Sequence, residues 1–364
     1  MKNLSTLKKY FVNYKKKLFF GFAFIILSNL GTVYVPLLLN DCIDALQQNA
    51  TTQVLFQYGL IIVSASLFAG IFRFMIRQTI IVVSREIEYD LRGDFWKHIQ
   101  RLPLRYFQNT STGNIMAHAT NDINAVRMFL GPAVMYSIDT TIRLAMVLAL
   151  MLSLNASLTI YALLPLPLLS LLVYKVGKLI HSKFTIIQEK FAELTTLVQE
   201  NFSGIRVIKS YVREESEIKR YAGHSKEYVA KKMNLVRTQA LIMPILFLIT
   251  GLSIIIVIWL GGIKVINNEL TLGEITAFIV YLGILIWPMI AFGWVINIIQ
   301  QAEASMKRLN KILDEPYEII ETEKTDYSIK DIKGEIKFNN VSFRYSENHP
   351  YVLKNIDLTI SRGS

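Results

Sequence analysis

Two charged residues, Asp139 and Arg143, interrupt an otherwise apolar stretch of the sequence and stand four positions apart. On a helix, that spacing places both side chains on one face, where a carboxylate and a guanidinium can neutralise each other. A charge within an apolar span is costly, which makes any such residue a candidate for function. We expect a structural intramembrane ion pair, with contact to a transported molecule as the alternative.

Other acidic and histidine side chains have spacings that catalytic or metal sites use. Glu86, Asp90 and Asp94 form an acidic stripe at helical spacing. Arginines surround this stripe, and we expect a solvated, salt-bridged helix face rather than an acid/base pair. His118 and Asp122 are also four residues apart, yet two ligands without a third make a poor metal site, and we predict no metal.

The overall composition excludes most classes of soluble protein. Charged residues make up 18% of the 364 residues, compared with roughly 25% in soluble domains. The hydrophobic residues are concentrated in charge-free blocks, which excludes an ordinary soluble enzyme and a disordered chain. The single cysteine, Cys42, excludes an internal disulfide and a CxxC zinc site.

Six apolar blocks approach or exceed the roughly 20 helical residues that cross a bilayer. The block after Arg143 continues without a charge from Leu144 to Tyr174 and would span about 46 Å as one helix, too long for one crossing. Ser153, Asn155 and Ser157 predict the turn that divides it. We therefore predict an all-α polytopic membrane domain, residues 1–313, with six long transmembrane helices at residues 18–39, 54–76, 129–152, 155–175, 240–263 and 275–299.

The distribution of lysine and arginine predicts the orientation of these helices. The connections Arg77–Arg127 and Lys175–Arg237 are rich in both residues, whereas the loop after the first span carries Asp41 and Asp44 and no basic residue. Basic connections stay on the cytoplasmic side. We expect a multi-pass protein of the plasma membrane with both termini in the cytoplasm and no signal peptide. The same bias explains the net charge of +11, and we expect no nucleic-acid partner.

Both basic connections carry cytoplasmic helical extensions with a break at the tip. In the first connection the break is the turn-rich stretch Leu104–Gly113, and in the second it begins at Gly204. We predict short docking helices at Phe107–Thr112 and Gly204–Tyr211 that touch another domain, with plain loops as the alternative. The residues assigned to these contacts are Phe107, Gln108, Asn109, Gly113, Gly204, Ile205, Val207, Ile208 and Tyr211.

The character of the chain changes after Leu313. Residues 314–334 are polar and charged and are predicted to form a linker, and Ser346–Pro350 predicts a turn. From residue 335 onward, alternating apolar side chains predict three short strands. Their marker residues are Ile336 and Phe338, then Val341, Phe343 and Tyr345, then Ile356, Leu358 and Ile360. So small a sheet is not stable alone, and we expect residues 335–364 to begin a second, truncated domain.

Four stretches, taken together and in this order, resemble the half-transporters of the ABC exporter family. They are Leu104–Asp122, Glu200–Tyr211, Leu272–Phe278 and Ile336–Ile360, and Ala119–Gly131 looks most like the bacterial multidrug-resistance-like branch. The resemblance covers the whole chain. It implies a six-helix membrane domain followed by the first strands of an α/β P-loop nucleotide-binding domain.

The resemblance also implies a function. Its members are alternating-access pumps that use ATP and Mg²⁺, and the two docking helices would be their coupling helices. Tyr345 would stack on the adenine ring. The implied partners are a second half-transporter, identical or different, the lipid bilayer, and an apolar or amphipathic substrate that is drug-like or lipid-like.

Three sequence features of the family do not occur in the 364 residues. The phosphate-binding sequence GxxxxGK[ST] is absent, as are the acidic magnesium ligand and the signature sequence. We therefore expect this polypeptide alone not to hydrolyse ATP, and the full-length protein to do so. Two alternatives stay open: an ion-coupled secondary transporter, for which only Asp139 would serve as a relay, and a membrane scaffold without ATPase activity.

Overall fold

The computed structural model describes residues 3–321, 325, 328, 334–345 and 349–363. Helices dominate these residues, and a short 3₁₀ turn, Asn3–Leu7, comes first. The α-helices follow in chain order as α1 (Lys8–Asn13), α2 (Lys15–Gln47), α3 (Thr52–Ile76), α4 (Val82–Ile99), α5 (Leu104–Asn109), α6 (Thr112–Ala117), α7 (Ile123–Met128), α8 (Val134–Leu163), α9 (Pro165–Ser203), α10 (Ile205–Ser210), α11 (Glu214–Ala240), α12 (Ile242–Ile266) and α13 (Leu272–Leu313). Two strands, β1 (Ile336–Phe343) and β2 (Leu353–Ile360), come last.

The chain forms two compact units. The larger unit comprises Met1–Gln100 and Thr110–Glu315, and the smaller unit comprises Arg101–Asn109 and Pro316–Ser364. All the long helices therefore belong to the larger unit, and α5 and the two strands belong to the smaller one.

Five continuous helical segments of the described chain are long and apolar enough to cross a membrane. One of them, Thr112–Ser203, contains two of the six predicted spans, and it breaks at Asn155, where the backbone leaves the helical region (φ −157°, ψ 105°). The side chain of Asn155 then accepts a hydrogen bond from the backbone N–H of Leu158 at 2.9 Å, as a helix cap does. The predicted turn is confirmed, and the predicted count of six corresponds to five segments of which one is divided.

Three π-helical turns interrupt the helices of the described residues. They lie at Arg77–Ile81, His118–Asp122 and Phe129–Ala133. Such turns accommodate one residue more than an α-helical turn does. The third turn contains Pro132, which has no N–H to donate, so that α8 begins at Val134 rather than at the predicted Phe129.

The largest apolar core of the described residues joins four of the long helices. Val33 of α2, Val147 and Met151 of α8, and Val257 of α12 meet Phe278 of α13 there, and all five side chains are essentially inaccessible to solvent. The hydroxyl of Tyr281, which is also fully buried, donates to the backbone carbonyl of Val33 at 2.9 Å. This contact ties α13 to α2 without leaving a polar atom unsatisfied.

Helices α2 and α3 pack closely because glycine faces side chains at two levels. A Cβ atom at Gly21 would lie 2.6 Å from Ile80 just beyond α3, and one at Gly31 would lie 3.0 Å from the Cβ of Ala69. Both distances are too short for ordinary packing. The absence of a side chain at Gly21 and Gly31 therefore sets how near the two helices come.

The C-terminal strands form one antiparallel pair, with Ile336 opposite Ile360 and Phe338 opposite Leu358. The prediction of three strands was wrong, because the first two predicted strands are one strand with an irregularity between Phe338 and Val341. Asn340 takes a positive φ of 51° there, and its N–H donates to the Asp357 carboxylate at 2.7 Å. Part of the predicted turn, residues 346–348, lies outside the described residues, as does much of the predicted linker.

Candidate functional site

The second predicted docking segment is a short helix with an apolar, exposed surface. Gly204 ends α9, and its N–H donates to the carbonyl of Glu200 at 2.8 Å. Helix α10 follows and contains Ile205, Val207 and Ile208, and Tyr211 is its C-terminal cap residue. The side chain of Val207 is 61% exposed and that of Tyr211 is 75% exposed. Such residues at the end of a long hairpin are available for contact with another domain.

The first predicted docking segment lies partly in α5 and partly in α6. Phe107, Gln108 and Asn109 belong to α5, which ends at Asn109 rather than at the predicted Thr112. Gly113 lies in the next helix, because the Ser111 hydroxyl accepts a hydrogen bond from the N–H of Asn114 and thereby starts α6. The ring of Phe107 is exposed and meets Tyr106 edge to face at 5.7 Å. Both α5 and α6 therefore present exposed apolar side chains at this tip, Phe107 on α5 and Met116 on α6.

A buried polar network surrounds Asp139 and Arg143 of α8. The guanidinium of Arg143 lies 2.9 Å from the Asp139 carboxylate, in the i,i+4 arrangement that the spacing predicts. Asn29 of α2 completes the network: its amide N–H donates to Asp139 at 2.8 Å, and its carbonyl oxygen accepts from Arg143 at 2.8 Å. Each member is thus satisfied within the protein. The sequence analysis did not single out Asn29, although it is an amide within a charge-free block.

An apolar cavity of about 680 Å³ lies between α2, α3 and α8. Leu30, Tyr34, Phe68, Met146 and Leu150 are among its lining residues, and none of the lining residues is charged. A cavity with this lining suits a hydrocarbon or an aromatic group rather than an ion. Of the aromatic rings in the predicted first and sixth spans, Tyr34 lines this cavity, whereas Phe278 and Tyr281 are buried in the protein core.

His118 and Asp122 form a polar cluster with α13 instead of an isolated pair. His118 Nδ1 lies 2.6 Å from the Asp122 carboxylate, and Arg308 donates two hydrogen bonds to the same carboxylate. Arg308 also donates to the Ser305 hydroxyl at 3.1 Å. The carboxylate is buried and its oxygens are occupied by these donors, so the cluster holds the Arg77–Arg127 connection against α13.

The acidic stripe of α4 is a partly solvated, salt-bridged face, as predicted, and its partners belong to the N-terminal segment. Asp94 accepts from Lys9 at 2.9 Å and from the Tyr10 hydroxyl at 2.6 Å. Asp90 accepts from the Tyr14 hydroxyl at 2.9 Å, and Glu86 forms an ion pair with Lys17 at 2.5 Å. Their partners lie about 70 to 85 positions earlier in the chain, where helical spacing gives no signal.

These contacts change the ionisation of the two tyrosines. Burial and the hydrogen bond to Asp94 raise the pKa of Tyr10 far above its ordinary value. The hydrogen bond to Asp90, with smaller contributions from burial and the nearby negative charges, raises the pKa of Tyr14 to about 12. Both hydroxyls therefore remain protonated donors at neutral pH.

Tyr345 follows β1 and presents an open ring. Its side chain is 71% exposed, and it meets Phe343 edge to face at a centroid distance of 5.1 Å. One face of the ring is therefore available to a planar ligand. The motif that holds phosphates does not occur in the 364 residues.

Comparisons with known proteins agree with these features. The sequence profile of the ABC transporter transmembrane region matches residues 18–289. The chain is 31% identical over 368 residues to a probable multidrug resistance ABC transporter ATP-binding/permease protein of Bacillus subtilis, with 99% of this chain and 62% of that protein covered. It is 27% identical over 353 residues to an ATP-dependent lipid A-core flippase of Desulfotalea psychrophila, with 97% and 61% covered.

A third relative is a multidrug resistance-like ATP-binding protein of Escherichia coli, 25% identical over 365 residues, with 100% of this chain and 61% of that protein covered. The chain thus spans a little over three fifths of the length of the curated relatives that it matches.

Proposed function

The chain belongs to the ABC transporter transmembrane family, and on this premise we propose that it forms the membrane-spanning part of an ATP-driven exporter of apolar or amphipathic compounds. It is a multi-pass membrane protein. The observation that carries the proposal is the exposed apolar surface of α10, at the end of helices that continue far beyond the apolar spans.

The two tips are proposed to transmit the movement of nucleotide-binding domains to the membrane. Helices α9 and α11 pack against each other along their length, with Ile187, Leu194 and Leu197 of α9 buried. A packed pair of helices moves as a unit, so displacement of α10 displaces the apolar part of α9 and, through α11, that of α12. Helix α5 would do the same for the first connection.

The proposed substrates are drug-like or lipid-like molecules that leave the cytoplasm or the inner leaflet by alternating access. The uncharged cavity between α2, α3 and α8 supports this substrate class, because transfer of an apolar group into it requires no burial of charge. The names of the relatives, a multidrug resistance transporter and a lipid A-core flippase, point to the same class.

ATP and Mg²⁺ are the proposed cofactors, and Tyr345 is the residue of this chain that would hold the adenine ring. Its exposed face supports this role. Tyr345→Ala in the complete protein should raise the KM for ATP. An unchanged KM would exclude the stacking role.

A second half-transporter, identical or different, is the proposed partner. Phe184 and Phe202 of α9 are exposed although α11 covers the neighbouring face of the same helix. Uncovered aromatic side chains on a long helix are typical of a contact surface. The plasma membrane and a cytoplasmic position of both termini remain part of the proposal.

In the deciding experiment, the complete product of the gene is expressed in cells, and transport is measured in inside-out vesicles prepared from them. We expect uptake of a fluorescent amphiphile that requires ATP and is inhibited by vanadate. Uptake that persists without ATP and stops when the proton gradient is collapsed would favour an ion-coupled transporter. A complete product without the GxxxxGK[ST] sequence and without ATPase activity would favour a scaffold.

A further inference from the structure

The N-terminal segment Asn3–Lys17 joins two helices that are far apart in sequence. Lys9 and Tyr10 bind Asp94 of α4 on one side. On the other side, the amide of Asn3 donates to Glu303 of α13 at 3.0 Å, and the amide of Asn310 donates to the backbone carbonyl of Asn3 at 3.2 Å. Leu7 between them is fully buried. The segment is therefore held firmly against α4 and α13.

Three lysines of this segment take no part in these contacts. Lys8, Lys15 and Lys16 are exposed, and none of them has a hydrogen-bond or ion-pair partner among the described residues. Their neighbours Lys9 and Lys17, in contrast, are both paired with carboxylates of α4. The segment thus carries three uncompensated positive charges that contribute nothing to its attachment.

The position of Lys15 and Lys16 along the chain places these two lysines beside the bilayer. Helix α2 begins at Lys15, and its charge-free part begins at Leu18, so Lys15 lies about 4.5 Å before it along the helix axis. The headgroup layer on each side of the hydrocarbon is roughly 5–8 Å deep. The exposed rings of Phe19 and Phe20, 69% and 56% accessible, follow directly. Lysines next to exposed aromatic rings are typical of a membrane interface.

We propose that Lys15 and Lys16 form a binding surface for anionic phospholipid headgroups. The charges are complementary, and each lysine near an anionic surface strengthens binding by about fivefold. A zwitterionic headgroup carries no net charge and gains none of this attraction. Because the same segment contacts α4 and α13, bound anionic lipid stabilises the junction of these two helices. This inference does not depend on export and holds whether or not the protein is a pump.

The test measures thermal unfolding of the full chain in detergent micelles that contain phosphatidylglycerol or phosphatidylcholine at equal mole fractions. Phosphatidylglycerol should raise the Tm more than phosphatidylcholine does. In the variant Lys15→Gln/Lys16→Gln the half-saturating phosphatidylglycerol concentration should increase by about fivefold for each lysine replaced. The charge-preserving variant Lys15→Arg/Lys16→Arg should retain the wild-type response.

The matched control replaces two exposed lysines of α11 that likewise have no ion-pair partner among the described residues, Lys231→Gln/Lys232→Gln. They lie at least ten residues before α12 begins, or about 15 Å along the helix. The control should keep the wild-type response. An unchanged response in the first variant, an equal loss in the control, or an equal stabilisation by soluble glycerol phosphate would overturn the proposal.

Discussion

At the scale of single residues, the sequence predicts polar pairs within one helix and misses their partners on other helices. The contact of Asp139 with Arg143 and that of His118 with Asp122 follow from i,i+4 spacing. Arg308 lies 186 positions from Asp122. Only the packing of α13 against the Arg77–Arg127 connection brings Arg308 and Asp122 together. Helical periodicity carries no information about that packing.

Arg308→Ala should lower the free energy of unfolding by about 1–3 kcal/mol, because Asp122 stays buried and loses its main donor. The half-exposed position of Arg308 keeps the loss below that of a fully buried pair. Lys307→Ala is the matched control, because Lys307 is exposed and should change stability by less than about 0.5 kcal/mol. Denaturant titration in micelles measures both, and equal losses would contradict the role of the cluster.

Arg143→Gln should cost about 3–5 kcal/mol of unfolding free energy, because it leaves the Asp139 carboxylate without its charged partner. The double variant Asp139→Asn/Arg143→Gln should cost less than the sum of the single variants, and a double-mutant cycle measures the difference. If the single variants instead keep their stability and change the KM for transport, the pair contacts substrate.

At the scale of elements, charge-free length predicts the long helices, and a local polar residue predicts the break at Asn155. The end of β1 was harder to predict. Alternation of apolar residues stops at Asn339 and Asn340, which suggested two strands, whereas the strand continues through an irregularity that Asp357 of β2 stabilises. A bulge conserves the strand and changes its side-chain pattern.

The proposed coupling role of helix α10 can be tested by a single substitution. Val207→Asp in the complete protein should preserve ATPase activity and lower ATP-driven transport at least about tenfold, because a carboxylate buried in an apolar contact costs more than 1.4 kcal/mol. Val229→Asp on α11 is the control, since Val229 is 51% exposed and lies outside both tips. Assays of transport and hydrolysis in the same proteoliposomes compare the two. Normal transport by Val207→Asp would exclude α10 as a coupling helix.

At the scale of the whole molecule, the bias of lysine and arginine predicts an orientation that coordinates alone do not contain. The prediction can be tested because Cys42 is the only cysteine. In a Cys42→Ser background, Gln48→Cys should react with a membrane-impermeant maleimide on intact cells. Ser210→Cys should react only after permeabilisation. Both native side chains are exposed, and the reversed pattern would overturn the orientation.

The π-helical turns at Arg77–Ile81, His118–Asp122 and Phe129–Ala133 have a consequence for how such a chain can evolve. Each residue of an α-helix advances it by about 100°. Loss of a single codon from a regular helix would rotate the following segment by roughly that angle, whereas loss within one of these turns would convert it to a regular turn and leave the direction of the following segment nearly unchanged. Homologous chains should therefore gain or lose a single residue at these turns more readily than in the regular helices on either side.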